Sequence, residues 1–383
     1  MHLTREEEKI YNGEYGWAYQ ISMKILVRLG DLFGATRLIP INSAHISGVS
    51  YKTLGDAPID FLKSLVENKA KVQVPSTSNP SSFDPDYLPK KVAPEQIEKQ
   101  TLILNLYKQM GVTPTLTCTP YYLQKPKPGW HVAWAESSAV IYANSVLKAW
   151  TNREGSPSAL AAALIGKTAN YGIHQPENRQ PNIRIKIEIE LETETDYGAL
   201  GICLGKLLKN KIPIFEGIPK NVRMEDLKQL GAGLASSGMT SIFHYKPTKL
   251  PRIGTISIGK KEIENAVESL STISDKPNLI CIGCPHCSFN EVRIIAKLLK
   301  GKNVQRELWV CTSRYVKEKA KESVKAIEKA GGHVLCDTCA IVTWIKEPIM
   351  TNSAKSAFYA PTMNGVNAAL APLKECVETA LKD

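Results

Sequence analysis

Residues 278–287 read NLICIGCPHC, a β-forming run that is interrupted by a glycine and a proline. Ser288 follows at once and Glu291 stands three residues later, which is the spacing of a capping box at the start of a helix. The helical pattern continues to Leu299. This stretch therefore predicts a buried strand that leads through a short turn into a helix.

The same order of elements is repeated further along the chain. Residues 308–311 and 333–336 are again rich in β-forming side chains, and a long charged segment lies between them. Thr312 can cap a helix in that segment, and Gly331 can end it. Strands that alternate with helices of this length are typical of βαβ units, so we predict an α/β fold with a parallel sheet.

The middle of the chain has a different pattern. Residues 183–191, IRIKIEIEL, alternate between apolar and polar side chains, which predicts a strand with one face in water. We expect this strand to begin a second lobe. On this basis the chain divides into an N-terminal α/β lobe over residues 1–180, a middle segment over 181–250 and a C-terminal α/β lobe over 251–383.

Two small polar loops in the N-terminal lobe follow β-rich runs. Residues 37–41 lead into a loop at 45–51, and residues 71–74 lead into a loop at 75–80. Loops at the ends of strands are where α/β proteins usually bind ligands. We therefore expect both loops to contribute to a ligand site.

The composition is that of a water-soluble globular protein. Of the 383 residues, 22% are charged, and the longest apolar run, residues 159–165, is far shorter than the roughly 20 residues of a membrane span. The charged start, MHLTREEE, lacks the apolar core of a signal peptide, so we expect a cytoplasmic protein without a membrane partner. The net charge of +11 comes without aromatic residues among the basic ones, so a basic surface or an anionic substrate is favoured over nucleic acid.

Nine cysteines are the chemically informative residues. Their odd number and uneven spacing argue against a disulfide framework and for metal-binding or catalytic thiols. The sequence has a CxxCxxC cluster at residues 281–287, a CxxC cluster at residues 336–339, and an isolated Cys118. Most of the others are expected to be small buried packing residues. Those packing residues are Cys203, Cys281, Cys287, Cys311, Cys336 and Cys376.

The two clusters are compatible with two kinds of metal site. Two CxxC pairs could bind zinc through four thiolates. Cys281 and Cys336, however, fall within predicted strands, whereas Cys284 and Cys339 fall just beyond strand ends, where thiolates can converge above the sheet. An iron–sulfur site built from Cys284, Cys339 and a third, distant cysteine fits this arrangement better. His286 is too close in sequence to Cys284 to be a second ligand, and we expect it to orient the site.

Several short blocks of the chain, in a fixed order from residue 48 to residue 355, resemble the signature blocks of the aconitase X family. The blocks are GVS at 48–50, TCTPY at 117–121, WAESSA at 134–139, TNREG at 151–155, GCPH at 283–286, DTC at 337–339 and TNSAK at 351–355. Such a series over nearly the whole chain is more specific than any single CxxC.

This resemblance implies a fold, a cofactor, a reaction and a partner. The fold would be aconitase-like, with several lobes, parallel or mixed sheets, and a [4Fe-4S] cluster between the lobes that is bound by Cys118, Cys284 and Cys339. The chain resembles the separate large subunits of archaea, which dehydrate (R)-5-phosphomevalonate, a phosphorylated hydroxy acid, in a mevalonate route to isoprenoids. Those subunits form heterodimers with a small subunit that supplies a swivelling domain and a serine base.

The resemblance also implies the residues of the substrate site. They are Gly48, Val49, Ser50, Asn79, Pro80, Glu136, Ser137 and Lys355, of which Glu136, Ser137 and Lys355 would be catalytic. Independent chemistry supports parts of this set. A glycine-containing turn can present backbone N–H groups to an anion. Burial after the apolar run 132–134 would raise the pKa of Glu136 and suit it to proton transfer or to binding a hydroxyl. Arg153 could bind a carboxylate or phosphate through two parallel hydrogen bonds.

Two alternatives to this function stay open. A dehydratase of the same family could act on hydroxyproline instead of a phosphorylated acid. A zinc-stabilised binding protein would use the two CxxC pairs and would not need Cys118. No serine of the chain stands in a glycine elbow beside an obvious base, which fits a base that comes from another subunit.

Overall fold

A computed structural model describes residues 1–87, 92–247, 250–273 and 277–382. The helices are α1 (Arg5–Asn12), α2 (Trp17–Leu32), α3 (Tyr51–Leu54), α4 (Ala57–Glu67), α5 (Pro94–Gln109), α6 (Ser137–Tyr142), α7 (Ser156–Ile165), α8 (Glu194–Leu208), α9 (Met224–Ser237), α10 (Lys260–Leu270), α11 (Phe289–Leu299), α12 (Arg314–Lys319), α13 (Lys321–Lys329), α14 (Ala354–Tyr359) and α15 (Leu373–Ala380). The strands are β1 (Leu38–Pro40), β2 (Ala44–Ile46), β3 (Ser76–Ser78), β4 (Ala133–Trp134), β5 (Lys167–Ala169), β6 (Ile183–Ile187), β7 (Pro213–Glu216), β8 (Thr255–Ile258), β9 (Leu279–Cys287), β10 (Glu307–Thr312), β11 (His333–Leu335), β12 (Ile349–Thr351) and β13 (Ala368–Leu370).

The C-terminal strands form one parallel sheet in the order β11-β10-β9-β12-β13. The predicted α/β architecture is confirmed here, as is the capping box: Ser288 Oγ accepts from the Glu291 N–H at 3.1 Å, and the Ser288 N–H donates to Glu291 at 2.7 Å. The charged helix begins one residue later than predicted. Ser313, not Thr312, caps it, because Thr312 is still paired within β10 and donates its hydroxyl to the Cys287 carbonyl at 2.7 Å.

Strand β9 is longer than predicted. Its pairing with β10 shifts register near Cys311, and Gly283 has a φ of +109°, where an added Cβ would lie 2.2 Å from the Cys311 carbonyl oxygen. Glycine avoids both the clash and the strain of positive φ. Cys284 therefore lies within an irregular continuation of the strand. The prediction that it lies on a turn beyond the end of the strand is wrong.

The middle strands form a second parallel sheet in the order β7-β6-β8. In β6 the isoleucines are buried, Arg184 is partly exposed and Lys186 is exposed, so the predicted solvent-facing side of the strand is confirmed. The predicted extent is wrong, because the strand ends at Ile187 and not at Leu191. Helices α8 and α9 lie beside this sheet and pack so closely that their backbones are in contact. A Cβ added to Gly233 would lie 2.4 Å from the Gly198 carbonyl oxygen and 2.9 Å from Gly201 Cα.

The N-terminal region contains a third parallel sheet, β3-β2-β4, and an antiparallel pair, β1 with β5. The predicted strand at 71–74 is wrong. The N–H groups of Val72 and Gln73 donate to carbonyls of Met110 and Ala163, so this segment joins no ladder, and the strand is β3. Strand β2 likewise falls where a loop was predicted.

The parallel sheets at the two ends of the chain direct the carboxyl ends of their strands toward a common region. Strands β2, β3 and β4 lead into residues 48–50, 79–80 and 136–137, and the loop after β3 meets the loop after β11, where the Ser81 N–H donates to the Asp337 carbonyl at 2.7 Å. The carboxyl edge of a parallel sheet is where ligands bind in α/β proteins. Among the described residues, no helix is both long and apolar enough to cross a membrane.

The contact between α8 and α9 predicts a strong effect of Gly233→Ala. The new methyl group would meet backbone atoms, which cannot rotate away, so we expect a loss of about 1–3 kcal/mol in the free energy of unfolding. Gly254→Ala is the matched control, because its Cβ would meet only Ile183 Cδ1 at 3.5 Å. Equal denaturation midpoints for the two variants would contradict the close helix packing.

Candidate active site

Three thiols from distant parts of the chain lie near one another at the junction. Cys118, Cys284 and Cys339 are each less than one-tenth exposed. Cys284 and Cys339 interact through their side chains, and this interaction lowers the pKa of Cys339 against the effect of burial. Burial raises the pKa of Cys118 to about 12, with contributions from the charges of Glu136 and Cys339. The three thiols thus face a common region.

His286 connects the segments that carry these thiols. Its backbone N–H donates to Cys118 Sγ at 3.2 Å, its Nδ1 lies 2.9 Å from Thr117 Oγ1, and its Nε2 lies 3.0 Å from the Thr338 carbonyl oxygen. A carbonyl only accepts, so Nε2 carries the proton and Nδ1 accepts from Thr117. Burial lowers the pKa of His286 to about 4, which keeps the ring neutral at pH 7. The histidine therefore orients the site, as the sequence suggested.

A buried ion pair joins the N-terminal and C-terminal regions. Lys355 Nζ lies 2.6 Å from Glu136 Oε1, and the two side chains are 11% and 13% exposed. Ser138 donates to the same carboxylate oxygen through its hydroxyl at 2.9 Å, and Asn79 Nδ2 donates to Oε2 at 2.8 Å. The positive charge of Lys355 also acts on Cys118, Cys284 and Cys339, so the pair borders the three thiols.

The expectation that burial raises the pKa of Glu136 is wrong. Burial does disfavour the carboxylate, but the charge and hydrogen bond of Lys355, with the bonds from Asn79 and Ser138, outweigh it and lower the pKa to about 2. Glu136 is therefore ionised at neutral pH and accepts hydrogen bonds. Lys355, whose pKa is raised by Glu136 against the effect of burial, is a fixed cation.

A hydrogen-bonded chain extends from the carboxylate to a histidine that the sequence did not single out. Asn79 donates to Glu136 through Nδ2, so its Oδ1 accepts from His45 Nε2 at 2.9 Å. His45 Nδ1 then accepts from Thr77 Oγ1 at 2.8 Å. Burial lowers the pKa of His45 to about 4, so the ring is neutral. His45 therefore fixes the orientation of Asn79. The feature that could have identified His45 is its position on the short strand β2.

The turn at residues 48–50 presents unpaired backbone donors. Gly48 has a φ of +71°, and an added Cβ would lie 2.6 Å from Ser156 Oγ. In the part of the chain that the structure describes, the N–H groups of residues 48–50 donate to no protein acceptor. Successive free N–H groups in such a turn form an anion-binding concavity.

Gln100, which is fully buried on α5, holds this turn in place. Its Nε2 donates to the Val49 carbonyl at 2.9 Å, and its Oε1 accepts from the Tyr51 N–H at 2.9 Å and from the Ser82 hydroxyl at 2.6 Å. The sequence gives no sign of this role, because a glutamine within a polar-looking helix is ordinarily exposed.

Lys52 is a second cation at the junction that the sequence did not single out. Its Nζ donates to the Ile341 carbonyl at 3.0 Å and to Asn364 Oδ1. Burial lowers its pKa to about 8, against an opposing effect of Cys339. In the sequence it reads as an ordinary lysine of a short helix.

The remaining predicted site residues occupy different positions. Ser50 is buried and bonds to the Val342 carbonyl at 2.9 Å, and Pro80 is buried before the junction contact at Ser81. Ser137 opens α6, and within the described ranges its hydroxyl has no hydrogen-bond partner. Arg153 donates through Nη1 to the Gly238 carbonyl at 2.9 Å, a bond to the middle region and not to the Glu136–Lys355 pair.

The positions of the thiols distinguish between a four-thiolate zinc site and an iron–sulfur cluster. The described residues hold no set of three or more His, Cys, Asp or Glu side chains placed to bind a single ion. Cys336 lies among the charges of Lys317, Asp337, Asp84 and Arg314. A four-thiolate zinc site is therefore not assembled. In a cubane cluster each thiolate binds a different iron, so the three thiols need not converge on one ion. The buried thiols Cys118, Cys284 and Cys339 fit such a cluster.

Comparison with known families covers most of the chain. The profile of the aconitase X first domain matches residues 1–177, that of the second domain residues 181–268, and that of the third domain residues 277–382.

Individual proteins give the same result. The chain is 46% identical to the phosphomevalonate dehydratase large subunit of Methanocaldococcus jannaschii, over 94% of this chain and 96% of that protein. It is 32% identical to the cis-3-hydroxy-L-proline dehydratase of Pseudomonas aeruginosa, over 99% of this chain but 70% of that protein. The crystal structure of the holo-form of Thermococcus kodakaraensis aconitase X superposes with a TM-score of 0.93 at 42% identity, covering 99% of this chain and 100% of that one.

The ion pair between the regions predicts that Lys355→Met is strongly destabilising. It would leave the Glu136 carboxylate buried without its cation, at a cost of about 3–5 kcal/mol in the free energy of unfolding. A second substitution, Glu136→Gln, should restore part of that loss. Lys374→Met is the control, because its pairing with Glu378 at 3.9 Å is exposed. Chemical denaturation that finds no difference between Lys355→Met and the control would contradict the buried pair.

Proposed function

Because the chain belongs to the aconitase X family, we propose that it is the large subunit of a dehydratase that removes water from (R)-5-phosphomevalonate. The observation that carries this proposal is the full-length identity to archaeal proteins of that name, 36–46% over 94–99% of this chain. The hydroxyproline dehydratases are less similar, at 30–32%, and extend well beyond the matched region. The product would be an anhydromevalonate 5-phosphate in the archaeal mevalonate pathway for isoprenoids.

Cys118, Cys284 and Cys339 would hold a [4Fe-4S] cluster between the regions. A cubane bound by three protein thiolates has one iron without a protein ligand, and that iron can act as a Lewis acid on a hydroxyl leaving group. His286 would fix the three ligand segments relative to one another through its two ring bonds and its backbone N–H. Its protonation pattern leaves no ring nitrogen free to compete for iron.

The substrate would lie between the cluster ligands and the three loops of the N-terminal sheet. The free N–H groups of residues 48–50 suit a phosphate or a carboxylate, as do the remaining N–H donors of Lys355. Pro80 and the apolar side chain of Val49 would bound the site. Arg153 keeps four of its five N–H groups free of the Gly238 bond and is a further candidate for a carboxylate.

Glu136 would act as a hydrogen-bond acceptor and not as an acid. With a pKa of about 2 it is ionised at neutral pH, so it can bind a substrate hydroxyl while it holds Lys355 in place. Ser137, whose hydroxyl is uncommitted, can donate to the same substrate. Among the described residues of this region no nucleophile is paired with a base, which supports removal of the proton by a serine of a small partner subunit.

The archaeal relatives are called large subunits, which supports a heterodimer. A cytoplasmic location is part of the proposal. We propose three domains for this subunit, with a first boundary near residue 180. The second boundary lies better near 270 than at 250, because β8 pairs with β6 and the helix α10 packs into the middle region.

The substrate is tested with the chain co-expressed with a native small subunit and purified without oxygen. We expect turnover of (R)-5-phosphomevalonate and no turnover of cis-3-hydroxyproline. Turnover of hydroxyproline alone would overturn the substrate assignment and leave the dehydratase class intact. A colourless complex with zinc and without iron would overturn the class as well.

Replacement of single cysteines tests the cluster ligands. We expect Cys118→Ser, Cys284→Ser and Cys339→Ser each to lose most of the bound iron and at least 100-fold in kcat, because each removes one of three thiolates. Cys203→Ser is the control, because this half-buried thiol lies on α8 in the middle region. Full iron content in Cys118→Ser would contradict the three-thiol site.

The role of His286 is tested by iron retention. His286→Leu removes both ring bonds and keeps the backbone bond to Cys118, so we expect faster loss of iron to a chelator. Thr117→Val should show part of this effect, and Thr117→Ser, which retains the hydroxyl, should not. Identical release rates in Thr117→Val and Thr117→Ser would contradict an orienting bond.

A further inference from the structure

A cavity of about 320 Å³ lies where the N-terminal and middle regions meet. Its lining comprises Asn144, Lys148, Trp150, Pro176, Arg179, Gln180, Ile242 and His244. Asn144, in the π-helical turn after α6, ties the two regions together: its Nδ2 donates to the carbonyls of Thr151 and Ser241, each at 2.9 Å. None of the residues proposed for the dehydratase site lines this cavity.

Arg179 gives the cavity a fixed positive charge. The side chain is 8% exposed, and its guanidinium stacks on Trp150 with 4.3 Å between the guanidinium carbon and the ring centroid. Its Nη1 and Nη2 donate to Asn144 Oδ1 and to the carbonyls of Ile173, Asn144 and Ala149. Each of these acceptors is neutral, so the charge is held in place without being balanced.

Lys148 adds a second cation at the mouth. It is exposed, and within the described ranges its Nζ bonds to no protein acceptor and pairs with no carboxylate. Its Nζ lies over the ring of Tyr245, 5.7 Å from the ring centroid. The ammonium therefore has its three N–H groups available to a ligand.

The titratable groups around the two cations are neutral or positive. Burial lowers the pKa of His131, His174 and His244, and in each case the charge of Arg179 lowers it further. Burial and Arg179 likewise lower the pKa of Lys148. Among the described residues, no carboxylate acts on the pKa of any of these groups or on that of Arg179. Burying an unbalanced charge costs free energy, and an anion in the cavity would offset that cost.

We propose that this cavity binds a small phosphate-bearing anion, at a site separate from the dehydratase site. Lys148 would bind the anion through its mobile ammonium group, and Arg179 would attract it through a fixed positive charge. The side-chain amide of Gln180 would donate a hydrogen bond at the rim. The volume is at the lower end of the range for small-molecule pockets, which limits the ligand to a compact phosphate or diphosphate. This proposal does not depend on the reaction that the chain catalyses.

Isothermal titration calorimetry of the full chain with inorganic phosphate, and separately with pyrophosphate, tests the site. Sodium chloride at matched ionic strength measures the nonspecific contribution. We expect saturable binding of at least one of the two anions that weakens at least tenfold in Lys148→Gln and disappears in Lys148→Glu. Lys329→Gln, which changes an exposed lysine on α13, should bind as the parent chain does.

The double variant Glu136→Gln/Lys355→Met separates this site from the dehydratase site, because it removes the Lys355 cation without leaving a buried carboxylate unpaired. Once circular dichroism shows that it is folded, we expect its phosphate affinity to equal that of the parent chain. Loss of binding in this folded double variant with retention in Lys148→Glu would place the anion in the dehydratase site and overturn the proposal. Absence of saturable binding by either anion, or equal affinity in Lys148→Glu and Lys329→Gln, would overturn it as well.

Discussion

The buried ion pair between Glu136 and Lys355 is the interaction on which the junction depends. Each charge alone would be costly to bury, and each is supplied by a different end of the chain. The pair is stable because neutral donors complete it: Asn79 and Ser138 bind the carboxylate, and His45 holds Asn79. A folded N-terminal region without its C-terminal counterpart would leave the carboxylate uncompensated. The site therefore exists only when both regions are assembled.

Parallel sheets explain why so many polar groups meet at this place. A parallel strand delivers its following loop to the carboxyl edge of its sheet, and the two sheets at the ends of the chain present those edges to each other. Loops from one sheet carry the free N–H groups of residues 48–50 and the Glu136 carboxylate. Elements of the other carry Cys284, Cys339 and Lys355. The ring of His286 then joins two of these segments through hydrogen bonds to Thr117 and to the Thr338 carbonyl.

Features that depend on neighbouring residues in the sequence could be predicted. The strands near 278–282, 308–311 and 333–336 and the capping box at Ser288 follow from local patterns, and the structure confirms them. Features that depend on distant residues could not. The pKa of Glu136 was expected to rise because burial is foreseeable, whereas its partner Lys355 lies 219 residues away. Short strands such as β2 and β3 carry too few residues for a periodic signal.

We propose that three thiolates hold a four-iron cluster with one iron open to substrate. Mössbauer spectroscopy of the anaerobically reconstituted chain, in complex with its small subunit, tests this proposal directly. We expect one iron in four to change its isomer shift and quadrupole splitting when (R)-5-phosphomevalonate is added, and the other three irons to keep theirs. A spectrum in which the iron sites are equivalent and unaffected by substrate would contradict it.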